Sequence, residues 1–201
     1  IAGGVVGINF SSSTSPHLLI AGSTGSGKSV ALETVLRGLC SRHDEHTLRL
    51  DLVDPKGTEL VGFEEDPHLN GSIGFDADDA ENVLDQLVEE MQSRYNAFKQ
   101  VKANSLVKYN AAVPPEERKP WRILVLDEYA DLTADGEDRK RVEKPLVRLA
   151  SKGRASGLHV IIATQRPSAD VIRTVIRSQL PAQLALRVKD KKQSWLTKRL
   201  A

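Results

Sequence analysis

The run Leu18-Leu19-Ile20-Ala21-Gly22-Ser23-Thr24-Gly25-Ser26-Gly27-Lys28-Ser29-Val30 (residues 18–30) decides the fold. Gly22 to Ser29 fits G-x-x-x-x-G-K-[ST], the pattern of a phosphate-binding loop. The four apolar residues before it read as a buried parallel strand. After it, apolar residues at 32, 35, 36 and 39 mark one face of a helix. Strand, glycine-rich loop and helix in that order are the context the motif needs. Gly22, Gly25 and Gly27 leave room for successive N–H groups to turn inward on phosphate oxygens, and the helix adds its positive dipole end. Lys28 supplies a charge for the outer phosphates, and the Ser29 hydroxyl suits a Mg²⁺ ion. Residues Gly22, Ser23, Thr24, Gly25, Ser26, Gly27, Lys28, Ser29 and Val30 are therefore the expected nucleotide-binding set, with ATP and Mg²⁺ as the expected ligands.

Length and composition set the frame. The chain of 201 residues suits one α/β domain over 1–201, and 40% hydrophobic with 27% charged residues is ordinary for a soluble globular protein. No apolar run approaches membrane-spanning length. Cys40 is the only cysteine, which excludes an intrachain disulfide and fits a reducing compartment. The chain starts at Ile1 and its only methionine is Met91, so a piece of a longer protein is expected. The net charge of +1 hides an asymmetry: residues 171–201 carry +7 and the remainder −6. A basic tract of this kind suits a polyanionic partner or a solvated face.

The pattern beyond the loop alternates strands and helices. Leu48 to Asp54 alternates like a strand and ends in the turn Asp54-Pro55-Lys56-Gly57. Ala80, Val83, Leu84, Leu87, Val88, Met91, Tyr95 and Phe98 form one stripe of a long helix, with Asp76 and Asp79 at its start. A polar, proline-rich loop follows over 113–120, then the apolar strand Ile123 to Leu126. The pattern predicts a helix over about 143–151, a strand over 159–163, a short helix over 170–178 and a last strand over 183–188. The expected architecture is a RecA-like P-loop core, a mostly parallel sheet with helices on both faces.

The strand over 123–126 ends in Asp127-Glu128, where buried apolar residues give way to carboxylates at the sheet edge. Asp127 is the expected second Mg²⁺ group. Glu128 is the expected base that polarises the attacking water. Gln165, at the tip of the next strand, is placed to sense the γ-phosphate. Cys40, His43 and His46 sit close in sequence, but their spacing is loose and a fourth ligand is not evident, so no metal site is expected there.

Five stretches together resemble the FtsK/SpoIIIE family of DNA-pumping ATPases: 16–30, Asp54 to Leu60, Glu89 to Phe98, Ile123 to Leu132 and Arg148 to Ile172. The resemblance implies ATP hydrolysis by Lys28, Glu128 and Gln165, a homo-hexameric ring with nucleotide between subunits, and double-stranded DNA through its channel. It also implies a cytoplasmic motor domain tethered to the membrane through parts outside this chain, working in chromosome segregation or conjugative transfer. Family members often carry Pro-Thr-Arg before the last strand, where this chain has Pro181-Ala182-Gln183. Arg154 and Arg187 are the substitute candidates for an arginine acting on the neighbour's nucleotide. Two further readings stand beside this one: a type VII-like protein-secretion ATPase with the same motor fold, and a catalytically silent P-loop module. The polar segment from Thr133 to Lys144 is expected to face DNA through Arg139, Lys140 and Arg141, slightly ahead of the Lys189–Lys192 cluster.

Overall fold

The computed structural model of the chain describes residues 7–12 and 14–187. Five parallel strands form its centre: β1 (Leu18–Ala21), β2 (Leu48–Val53), β3 (Trp121–Leu126), β4 (Leu158–Thr164) and β5 (Ala182–Ala185). Their order across the sheet is β2-β3-β4-β1-β5. This is the RecA-like P-loop architecture that the alternation of elements led us to expect. β4 lies between β1 and β3, with Ala21 level with Thr164 and Leu126 level with Ile162. The tips of these three strands therefore meet at one carboxyl edge, which is where ligands bind in open parallel sheets.

Alternating side chains split the core in two. Leu18, Ile20, Leu50, Leu52, Val125 and Ile161 face one side, where α1 (Lys28–Cys40) brings Leu32 and Leu36. Leu60, Phe63, Leu69 and Ile73, from the connection after β2, complete that layer. Leu19, Leu124, Leu126, Val160 and Ile162 face the other side. There α2 (Ala77–Gln100) and α5 (Gly136–Ser156) pack with Leu84, Leu87, Leu146 and Leu149. Fully burying each such side chain contributes roughly 1.5–3 kcal/mol. The helices thus cover both faces of the sheet, as a parallel sheet requires.

Local signals explain most boundaries. Asp76 caps α2 by accepting from the Asp79 N–H, as expected. The helical pattern after α2 resumes as α3 (Leu106–Ala112), capped by Ser105. Gly157 ends α5 with φ 77°, and a Cβ there would lie 2.2 Å from Leu106 Cδ2, so no larger residue fits this tight junction.

The largest correction concerns α5, which starts at Gly136 rather than at about 143. The Asp135 carboxylate accepts from the Glu137 and Asp138 N–H groups, and Glu137 and Asp138 favour the positive end of the dipole. Pro145 lies inside the helix and is buried. The apparent breaker is tolerated because the flanking turns are held by packing against α2. The segment 136–144 is therefore the first part of a helix and not a loop. A four-residue helix, α4 (Tyr129–Leu132), follows Glu128 directly. The expected short helix over 170–178 narrows to α6 (Thr174–Arg177), and the last strand to Ala182–Ala185. Val188 and the Lys189–Lys192 cluster lie outside the described residues.

Candidate nucleotide site

The loop from Gly22 to Gly27 joins β1 to α1 across the carboxyl edge. Gly27 holds φ 92°, a conformation open to glycine and costly for other residues, and it turns the chain into the helix. Ser23 is anchored to the segment after β5: its N–H and its hydroxyl both donate to the Arg187 carbonyl, at 2.9 Å each. The Thr24 hydroxyl donates to Gln165 Oε1 at 2.7 Å, tying the phosphate loop to the tip of β4. An open groove runs along this edge, lined by Ser23, Thr24, Gly25, Lys28, Glu59 and Gln165. Ser29 and Val30 also border it, with Val30 68% exposed despite its apolar side chain.

Lys28 and Asp127 form a buried ion pair, Nζ to Oδ1. Burial pushes the Asp127 carboxyl above the usual carboxylate range, against the pull of Lys28. Its second oxygen, Oδ2, is buried with no hydrogen-bond partner, and so is Ser26 Oγ. Buried polar atoms without partners are rare, because each costs about 1–3 kcal/mol. Here both orphans border the phosphate loop, and the donor set matches what Mg²⁺ and phosphate oxygens would satisfy: a carboxylate oxygen and a hydroxyl.

Glu128 follows at once in a left-handed conformation, φ 40° and ψ 57°, strained for a residue with a Cβ. Strain of this kind persists only where surrounding structure enforces it. Three donors do so. The Thr164 hydroxyl and the Gln165 N–H both donate to Oε1 at 3.1 Å, and Lys56 Nζ reaches Oε2 at 3.3 Å. The structure thus brings Lys28, Asp127, Glu128 and Gln165 together as expected from sequence, although they span nearly 140 positions of the chain.

Sequence reasoning missed three members of the site. Thr164 was visible only as the last residue of an apolar strand. Lys56 and Asp54 were visible in the Asp54-to-Leu60 stretch, but nothing in that stretch named their partners. The buried Asp54 carboxylate accepts from five backbone N–H groups, those of Lys56, Gly57, Thr58, Glu59 and Leu60. That makes the Lys56 turn rigid.

Other expected residues fall elsewhere. Arg187 is exposed, with its backbone bonded to its own phosphate loop. Arg154 is exposed near the end of α5, at the opposite edge of the sheet. Arg139 donates to the Thr133 and Asp170 carbonyls, and Arg141 pairs with Asp78, Glu81 and Asp138. Of that trio, the Lys140 side chain alone makes no hydrogen bond or ion pair among the described residues. Cys40 does approach a histidine, but it is His68 together with Asp66, rather than His43 or His46. Both His68 nitrogens are engaged, by the Asp66 carboxylate and the His43 carbonyl, and burial pushes the Cys40 thiol up to about 11. Cys40, Asp66 and His68 thus bring three possible ligand atoms within 4.8 Å of one another, a grouping other than the Cys40, His43 and His46 set considered from the sequence.

No helix among the described residues is long and apolar enough to cross a membrane. The sequence profile of the FtsK/SpoIIIE family matches residues 3–169. The DNA translocase FtsK of Helicobacter pylori is 41% identical over 175 residues, which cover 86% of this chain and 20% of that protein. The chain thus spans about a fifth of the length of such relatives. The solved structure of the conjugation coupling protein TcpA of pCW3, a monomer form with ATPγS, aligns with a TM-score of 0.80 at 32% identity, over 93% of this chain and 52% of TcpA. The cytoplasmic domain of the type VII secretion ATPase EccC of Thermomonospora curvata aligns with a TM-score of 0.79 at 26% identity, over 90% of this chain and 21% of that one. The profile covers most of the chain and contains its phosphate loop, its Asp127-Glu128 pair and Gln165: the chain belongs to the FtsK/SpoIIIE family.

Proposed function

We propose that this chain is the motor domain of an ATP-driven double-stranded-DNA translocase. The observation that carries the ATP-hydrolysing part is the meeting of Lys28, Asp127, Glu128 and Gln165 at the carboxyl edge, where Lys28 and Gln165 line the groove and Asp127 Oδ2 and Ser26 Oγ are left unpartnered. ATP would place its phosphates against the loop N–H groups and take Lys28 from Asp127 onto its outer phosphates. Asp127 and Ser29 would hold Mg²⁺, which would neutralise charge on the phosphates. Glu128 would accept the proton of the attacking water, and Gln165, tied to Thr24, would register loss of the γ-phosphate.

DNA as the substrate rests on the 41% identity to an FtsK translocase and on the likeness to TcpA. Assembly as a homo-hexamer, with an arginine such as Arg154 reaching a neighbour's nucleotide, is part of the same reading. So are a cytoplasmic motor and a membrane tether supplied by other parts of the protein. The bonds made by Arg139 and Arg141 leave Lys140 as the member of the trio free to meet backbone phosphates. The secretion reading is favoured only by the fold shared with EccC at lower identity.

The test is ATP turnover by the assembled full-length protein, with and without double-stranded DNA at controlled salt. Turnover should rise with DNA of any sequence, the rise should weaken steeply with salt, and Lys28→Ala should abolish both rates. Turnover indifferent to DNA would favour the secretion ATPase.

A further inference from the structure

Lys56 is a charged group in contact with Glu128 that the roles above leave unused. Asp54, fully buried at the tip of β2, gathers five N–H groups and fixes the turn that carries it. From that rigid turn its ammonium lies 3.3 Å from Glu128 Oε2 and 3.9 Å from Asp131 Oδ2. The Lys56 side chain is 40% exposed and that of Glu128 only 3%. The cation therefore stands between the buried carboxylate and the outside, where an arriving polyanion can reach it. Lys28, by contrast, is buried and committed to the nucleotide edge.

The three donors on Glu128 have a consequence for chemistry. A general base must present a free lone pair to the attacking water. Here Oε1 carries two donors, from Thr164 and Gln165, and the remaining accepting position, on Oε2, lies beside the Lys56 ammonium, which fixes where it points. We propose that Lys56 is a latch: a positioning residue that holds Glu128 in a resting orientation until phosphate charge on a bound duplex draws the ammonium away. The proposal rests on the reading of Glu128 as the base and adds a control to it. A chain of bonds from Thr24 through Gln165 to Glu128 and Lys56 links the phosphate loop to this exposed cation, so nucleotide state and duplex contact converge on one carboxylate.

The experiment is steady-state ATP turnover by the assembled full-length protein, with and without a mixed-sequence duplex. It compares wild type, Lys56→Met, which keeps the stem and removes the charge, and Lys56→Arg, which restores it. With the latch removed, Lys56→Met should raise duplex-free kcat about two- to tenfold, in keeping with a part-exposed ion pair, and leave KM for ATP unchanged. Its stimulation by duplex should shrink by the same factor, and Lys56→Arg should return both values towards wild type. The latch is overturned if Lys56→Met leaves duplex-free kcat unchanged. It is equally overturned if kcat falls alike with and without duplex, which would make Lys56 an aid to Glu128 and not a restraint. A wild type deaf to duplex would sink the translocase reading instead, and the duplex-free kcat of Lys56→Met would then judge the latch alone.

Discussion

Two buried networks of charge illustrate how one fold spends polar groups in two ways. Beneath α2, Arg122 donates to Asp51 and Glu90, Arg94 donates to Glu90 and to the Ser156 carbonyl, and Asn70 completes Asp51. Every carboxylate oxygen in that network has a donor. At the carboxyl edge, Lys28, Asp127 and Glu128 are just as buried, with Lys56 half-exposed beside them, yet Asp127 Oδ2 has none and Glu128 is strained. A closed network fixes structure. An open one keeps free energy in reserve for a ligand that will close it.

The contrast is sharpest in Glu128→Gln. An amide cannot accept the water's proton, so turnover should fall by about 10²–10⁴-fold while ATP binding, read by a fluorescent nucleotide, persists. Wild-type turnover in that variant would break the assignment of the open network to catalysis.

The closed network should answer in stability instead. Arg122→Met strands the buried Asp51 carboxylate, and removing one partner of a buried pair costs about 3–5 kcal/mol. For a chain of this size that lowers Tm by on the order of 10 °C. Nucleotide affinity per folded molecule should stay as it is. A large loss of affinity without loss of Tm would erase the distinction between the two networks.

A third polar pair limits the lesson. His17 and His159, at the amino ends of β1 and β4, each leave a buried Nε2 unpartnered. Burial is the main cause that lowers His17 to about 4 and His159 to about 3, so both are neutral in the folded protein. The unfolded chain binds their protons below about pH 6.5. Stability is therefore complete above that pH and is lost as pH falls through 6.5 towards 4, by about 2 kcal/mol per histidine between pH 6.5 and 5. Urea midpoints at pH 7 and pH 5 measure this, and His159→Phe should remove about one proton from the slope near pH 5. An unchanged slope would mean that His159 is charged in the folded state. An open polar atom thus marks a ligand site only where it stands beside an open groove, as Asp127 does through its partner Lys28.

Much of the site was legible because its signals are local. The phosphate loop is eight contiguous residues between a strand pattern and a helix pattern, and Asp127-Glu128 ends an uninterrupted apolar run. The start of α5 was legible in principle, since Asp135 precedes Glu137 and Asp138, but a polar first half and Pro145 obscured it. Lys56 was different: its partner lies 72 positions away, and nothing in either stretch encodes their meeting.

By itself the sequence determined the class of fold, the strand tips at which chemistry sits and the identity of the groups meant for phosphate, because hydrophobic period and backbone freedom act over a few neighbouring residues. Only the tertiary structure decided which charges meet. The order β2-β3-β4-β1-β5 sets β4 between β1 and β3, so Thr164 and Gln165 reach Glu128 while Thr24 reaches Gln165. Packing around α5 turned Arg139 and Arg141 onto carbonyls and carboxylates and left Lys140 without an ion pair among the described residues. Contacts of this kind depend on how strands and helices stack in three dimensions, and ion pairs form with whatever charge that stacking brings within about 4 Å.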